Sequence, residues 1–185
     1  MNKEELEKKI SNDPVIKDFI RMVKEYNSEK STNGNHQQPI LIGGAVVDIL
    51  EGRKPKDYDF KGRSNGHIEI FRRNGFVFAY ESQTSITLTK GDIVVQFLKR
   101  DPLTFDFKIS QASFNLHKEE LKIDEDSFKS KTLIPLTFDK SQVDRALNSL
   151  RRVPHWVRKG YSIHNKTYQT LLSIVVKNNK KGIES

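Results

Sequence analysis

Pro39-Ile40-Leu41-Ile42-Gly43-Gly44-Ala45-Val46-Val47-Asp48-Ile49-Leu50-Glu51-Gly52-Arg53-Lys54-Pro55-Lys56-Asp57-Tyr58-Asp59-Phe60 carries more information than any other part of this chain. Residues 39–42 are apolar and few, as in a short buried strand, and they stop at paired glycines. Residues 45–51 predict a short helix, and 52–56 a turn. Asp57 to Phe60 alternate polar and apolar, as a half-buried strand does. Two glycines between a strand and a helix let a phosphate approach the backbone closely. The free N–H groups at the helix start then donate to it, and the helix dipole adds attraction. Paired glycines alone are more often just a tight turn. Asp57 and Asp59, two apart on a strand, point to one face. Two such carboxylates repel unless a proton or a cation bridges them. Hard oxygen ligands of this kind suit Mg²⁺, which binds through one or two carboxylates plus substrate phosphates. An isolated Asp-x-Asp is ordinarily a solvated strand face. One short helix after a glycine turn, it sets a triphosphate and a magnesium ion side by side.

Outward from this stretch, Ser11-Asn12-Asp13-Pro14 reads as a cap with proline at the first helical position. Val15, Phe19, Met22 and Val23 then recur at helical spacing to about Tyr26. Residues 28–38 are polar and read as a loop. Beyond Phe60, residues 67–74 predict a helix on Ile68 and Phe71. Strands are expected at 76–80, 85–89 and 93–98, the last two paired as a hairpin about Lys90-Gly91-Asp92. Residues 104–109 are ambiguous and 112–116 suit another strand. The remainder is helical, over about 141–158 and 165–177, with Pro154 expected to kink or break the first of these. Strand–helix–strand, then antiparallel strands, then helices, makes an α+β fold. The expected organisation is an N-terminal helical segment and loop (1–38), a catalytic core (39–138) and a C-terminal helical segment (139–185).

The 185 residues suit one domain with a helical appendage. The absence of cysteine excludes disulfides and thiolate zinc sites. The N-terminus has no apolar signal core, and no apolar run approaches the roughly 20 residues that span a bilayer, so a cytoplasmic protein without a membrane partner is expected. The five histidines show no metal-ligand spacing, and no Ser–His–Asp arrangement can be proposed. The net charge of +8 is unevenly placed. Residues 1–144 hold 23 basic and 23 acidic residues, whereas 145–185 hold nine basic residues and one acid, Glu184. A basic segment beside a neutral domain suits RNA or DNA, or else is a solvated helical surface. The helix from Val143 has an expected apolar face of Val143, Ala146, Leu147, Leu150, Val153 and Val157. Its other side carries Arg145, Asn148, Arg152, His155 and Lys159 at steps of three or four. Trp156 either stacks on a base or belongs to the core.

The pattern Gly-Gly-x-Val-x-Asp-x-Leu-x-Gly-Arg followed by Asp-x-Asp resembles the head domain of the bacterial-type CCA-adding enzymes and bacterial poly(A) polymerases, in the polymerase-beta nucleotidyltransferase superfamily. The likeness runs from about Ile40 to Ile163. It implies a nucleotidyltransferase palm, a mixed and mostly antiparallel sheet with flanking helices, followed by C-terminal helices. It implies Mg²⁺ on Asp57 and Asp59 as the catalytic pair, Gly43 and Gly44 cradling the triphosphate, and Arg53 on a phosphate. Phe105-Asp106-Phe107-Lys108-Ile109-Ser110 resembles the segment that meets the sugar, through Asp106. Asp144 through Arg151 to Gly160-Tyr161-Ser162-Ile163 resembles the base-reading helix, with Asp144 and Arg151 in that role. The implied reaction moves a nucleoside monophosphate from an NTP, ATP or CTP, to a hydroxyl, here an RNA 3′ end held by Arg145, Arg152, His155 and Lys159.

Four departures stand out. Val47 replaces the arginine before the Asp48 equivalent, Thr104-Phe105 replaces an arginine pair, and Asn148 falls where a base-reading arginine is expected. The strand at 93–98 presents Gln96 where the superfamily often supplies a third carboxylate, with Asp92 and Asp101 outside it. The neck, body and tail domains that measure tRNA in this family are not expected in a chain of this length. Two rival readings follow: a non-catalytic nucleotide- or RNA-binding relative, and a small nucleotidyltransferase acting on a protein or small molecule. Asp48 is expected to hold a nearby basic group or a helix end. Lys54 and Lys56 either meet phosphate or keep the turn soluble.

Overall fold

Helix α1 (Lys3–Ser11) starts at a capping box: Asn2 Oδ1 accepts from the Glu5 N–H, and Glu5 Oε2 accepts from the Asn2 N–H, both at 2.9 Å. Each satisfies a donor that the helix start would leave unpaired. Asp13 caps α2 (Pro14–Glu29), accepting from Val15 and Ile16 N–H at 3.0 and 3.1 Å, with Pro14 at the first position as the sequence predicts. α1 lies within the expected N-terminal helical segment, but its bounds could not be read. Only Leu6 and Ile10 of it are buried, so its apolar repeat is too sparse to read.

The computed structural model describes residues 2–30, 37–62, 64–99, 107–136 and 143–181, with only the backbone at 144–145 and 177–181. The chain forms two compact units, Met1–Pro102 with Ala112–Lys122, and Leu103–Gln111 with Ile123–Ser185. The boundaries therefore fall elsewhere than at 38 and 138. α1 packs on helix α3 (Gly44–Leu50), which draws the N-terminal helices into the first unit.

That unit contains a seven-stranded sheet. Its strands are β1 (Ile40–Ile42), β2 (Tyr58–Lys61), β3 (Val77–Glu81), β4 (Ser85–Lys90), β5 (Ile93–Leu98), β6 (Ser113–Asn115) and β7 (Glu120–Lys122). The order is β3-β4-β5-β2-β1-β6-β7, with β2 central. The β2–β5 pair is parallel and the others are antiparallel. β4 and β5 form the expected hairpin, and Gly91 supplies the positive φ of +58° that its tight turn requires. β7, with one apolar residue in three, had no readable pattern.

One face of the sheet is apolar. Tyr58 and Phe60 of β2, Val95 and Phe97 of β5, and Ile86 and Leu88 of β4 are all buried. Phe19 of α2 lies edge-on to Tyr58, Phe60, Phe71 and Phe76 at centroid distances of 5.4, 5.9, 5.0 and 6.0 Å. Phe71 comes from helix α4 (Asn65–Arg73), which Ser64 caps by accepting from the His67 N–H at 3.0 Å.

His67 adds a pH dependence. Burial holds its pKa below the ordinary 6.5, against a hydrogen bond to the Gly62 backbone, and its Nδ1 is buried with no hydrogen-bond partner. The folded state therefore binds a proton less readily than the unfolded chain. The stability this represents is present above about pH 6.5 and is lost as pH falls through the folded pKa. Urea midpoints are expected to fall between pH 7 and 5, and His67→Gln to flatten that part of the profile. An unchanged slope would remove His67 as its source.

In the second unit a 3₁₀ turn (Lys108–Gln111) precedes α5 (Glu125–Ser130), α6 (Val143–Arg158) and α7 (Asn165–Lys181). α5, unforeseen, is capped by Asp124, which accepts from the Ser127 N–H at 2.9 Å. α6 passes through Pro154 and is not broken there. The missing N–H forfeits one helical bond, while packing on both sides keeps the rest. Ala146, Ser149, Val153 and Trp156 are buried, whereas Val157 is 49% exposed. Val157 thus leaves the apolar face assigned from sequence. Trp156 is core, fully buried against Tyr161 with ring centroids 5.2 Å apart, and is not available to stack on a base. Among the described residues no helix is long and apolar enough to cross a membrane.

Candidate nucleotide and metal site

β1 delivers the chain to Gly43, whose φ of +71° and ψ of −132° suit glycine and few other residues. Its N–H donates to the Ala112 carbonyl at 2.7 Å, so the residue before β6 holds the turn. Gly44 opens α3 and is partly exposed, while every later residue of that helix is buried. The glycine turn therefore joins buried Gly43 to partly exposed Gly44 on a buried support.

The turn between α3 and β2 is clamped by charge. Buried Asp48 accepts from Arg53 Nε at 2.9 Å, and Glu51 also pairs with that guanidinium. The Arg53 N–H donates to the Asp48 carbonyl at 2.8 Å. Burial works against the Arg53 charge, but the two carboxylates outweigh it and raise its pKa. Asp48 holds a basic group as expected. Arg53, assigned to phosphate by resemblance, is engaged by two carboxylates with which a phosphate would compete. Glu51 was missed, although its spacing from Asp48 and Arg53 is visible in the sequence. Lys54 pairs with Asp92 at an exposed position, an ion pair that contributes little to stability.

β2 then sorts its residues by face. Tyr58 and Phe60 go to the apolar side; Asp57, just before the strand, and Asp59 are half-buried. Burial, with Asp13 and Asp92 nearby, pushes the Tyr58 hydroxyl up to about 12, so it stays neutral beneath the acids. Ile42 pairs with Asp59, which sets the acids beside the end of β1, where the glycines begin. Paired strands lie about 4.8 Å apart. On the other side Asp59 pairs with Gln96 of β5. The fold thus brings together Gly43, Gly44, Asp57, Asp59 and Gln96. Two carboxylates and a carboxamide oxygen are hard donors that suit Mg²⁺. Among the described residues no group of three His, Asp or Glu side chains is placed to hold a metal.

The remaining candidates belong to the second unit. Arg151 and His155 are exposed and Arg152 and Lys159 partly so, with Lys159 Nζ 5.4 Å from the centroid of the Trp156 ring. Asp106 and Asp101 lie outside the described residues, as do the side chains of Asp144 and Arg145.

This architecture is the head-domain fold of CCA-adding enzymes: α+β, with a mostly antiparallel seven-stranded sheet. The solved structures it resembles include the Thermotoga maritima CCA-adding enzyme complexed with tRNA-CCA, at TM-score 0.69 and 21% identity over 96% of this chain and 46% of that one. A CCA-adding enzyme in complex with CTP matches at 0.68 and 22%, over 96% and 45%. A tRNA nucleotidyltransferase with a primer tRNA and an incoming ATP analog matches at 0.61 and 21%, over 85% and 50%. The chain spans about half the length of these structures. No protein-family model matches the sequence, and no curated protein does.

Proposed function

We propose that this chain transfers a nucleoside monophosphate from an NTP to the 3′ hydroxyl of an RNA, releasing pyrophosphate. The observation that carries this is the Ile42–Asp59 register, which places the acidic pair against the glycine turn in a fold shared with CCA-adding enzymes. On this reading Asp57 and Asp59 hold Mg²⁺, and the Gly43–Gly44 backbone binds the triphosphate. The metal, when bound, neutralises charge developing on the phosphates. Asp106 meets the sugar, Asp144 and Arg151 read the base, and Arg53 keeps the turn before the acids in place. Arg145, Arg152, His155 and Lys159 hold the RNA backbone. The tRNA, CTP and ATP analog held in the similar structures support NTP and RNA as the substrate classes. A soluble cytoplasmic setting fits such substrates.

The test is incubation with each labelled NTP, Mg²⁺ and total RNA, resolved on a denaturing gel beside a protein-acceptor control. Label on RNA is expected. Label on protein alone favours the protein-modifying reading. Nucleotide binding with no transfer favours the non-catalytic one, to which Gln96 and the engaged Arg53 lend support.

The RNA half of the proposal has its own test. Bound phosphates release counterions, so log K should fall against log salt by roughly 0.7 per phosphate on a single strand. Replacing Arg145, Arg152 and Lys159 by Gln is expected to flatten that slope by about 2 and to weaken all sequences alike, leaving NTP binding intact. Gel shifts at several salt concentrations read this. No affinity even at low salt would point away from a nucleic-acid acceptor.

A further inference from the structure

We infer that Gln96 restricts this site to a single divalent cation. The inference rests on the proposed role of Asp57 and Asp59. β2 and β5 run parallel with Asp59 beside Gln96, so the two Cα atoms are about 4.8 Å apart. Their side chains share a face, because the flanking pairs, Tyr58 with Val95 and Phe60 with Phe97, are buried on the opposite one. Gln96 is therefore the polar side chain directly beside Asp59 across the sheet, half-buried as the acids are.

A two-cation site needs its ions about 3.5–4 Å apart. At that distance their repulsion must be offset by anionic oxygens in contact with both, which in the nucleotide-free protein means carboxylates. A carboxamide supplies one neutral oxygen and presents a positive N–H edge beside it. The next residue along the same row, Thr87 of β4, is also uncharged. It is 1% exposed, with Oγ1 lacking a hydrogen-bond partner. On the other side the row continues through Ile42 to Ser113. The row across the sheet from Ser113 to Thr87 thus holds one carboxylate, Asp59, and Asp57 is its one acidic neighbour along β2. Among the described residues, two carboxylates balance a single Mg²⁺ in the nucleotide-free site and no other is there for a second.

Mn²⁺ is the probe, counted by electron paramagnetic resonance at rising concentration in wild type, Gln96→Glu, Gln96→Asp and Asp57→Asn/Asp59→Asn. Thermal melts of the same proteins establish that each is folded. Wild type is expected to take up a single magnetically isolated Mn²⁺, lost in the double Asn variant. Gln96→Glu or Gln96→Asp is expected to add a second, spin-coupled to the first. Two coupled ions in wild type would overturn the inference and require another carboxylate at the site, while the role of the acids stands. A single ion retained by both Gln96 variants would also overturn it, since Gln96 would not be what limits the count. Binding unchanged in the double Asn variant would remove the role of the acids, and the inference with it.

Discussion

Alanine at both Asp57 and Asp59 is expected to abolish nucleotide transfer and leave the fold intact. Both side chains are half-buried on the polar face of β2, away from the rings that anchor the strand. Removing them costs no core contact and relieves the repulsion between two neighbouring carboxylates. The double variant should therefore stay folded, at a cost of about 1–2 kcal/mol or less. The loss in rate is of another order. A metal that stabilises charge in phosphoryl transfer contributes several kcal/mol to the transition state, and each 1.36 kcal/mol is tenfold in rate. A drop of about a thousandfold or more in pyrophosphate release is expected. Release assays and melts on one protein preparation give both numbers. Activity within tenfold of wild type in a folded double mutant would remove these acids from the chemistry.

Phe71→Ala is expected to produce the largest loss of stability. Its ring is fully buried and meets Phe60, Phe76 and Phe97 at centroid distances of 5.2, 5.2 and 5.4 Å, besides Phe19 at 5.0 Å. Truncating such a residue costs about 3–5 kcal/mol in transfer and cavity terms. That is a large share of the roughly 5–15 kcal/mol available to a whole protein. The urea midpoint should fall with little change in slope. Phe78→Ala is the control. Phe78 is 57% exposed on edge strand β3, and its loss should stay within about 0.5 kcal/mol. Equal small effects at both positions would mean that the ring cluster is not the centre of the core. Because Phe60 carries Asp59 on the next residue, a folded Phe71 variant should also weaken metal binding if the cluster orients the acids.

The acidic pair and the glycine turn were legible because their signals are local. A strand alternates its faces every residue, so Asp57 and Asp59 share one face whatever surrounds them. The cap at Asp13-Pro14, the 85–98 hairpin and the α+β class follow from equally short-range chemistry. Where few apolar residues mark an element, as in α1, β7 and α5, the pattern is too thin to read, and packing decides. Trp156 and Val157 show the same limit on α6: both lie within reach of the apolar stripe by spacing, but packing, with Tyr161 against the indole, determines that Trp156 is the one covered. Pro154 argued for a break, and tertiary packing overrode that local cost. Strand register is longer-ranged still. That Asp59 lies between Ile42 and Gln96 depends on an antiparallel pairing on one side and a parallel one on the other, between segments some 17 and 37 residues away in the chain. Side-chain period cannot select such partners, because many registers bury the same alternate residues. Nor does spacing reveal that Arg53 is taken up by Asp48 and Glu51, since a cation near phosphate-binding glycines and a cation clamping a turn have the same sequence. The amino-acid order alone therefore determined which residues are candidates for the chemistry and on which face of β2 they lie. The tertiary structure decided what stands beside them, because neighbours across a sheet are chosen by packing between distant segments and not by local periodicity.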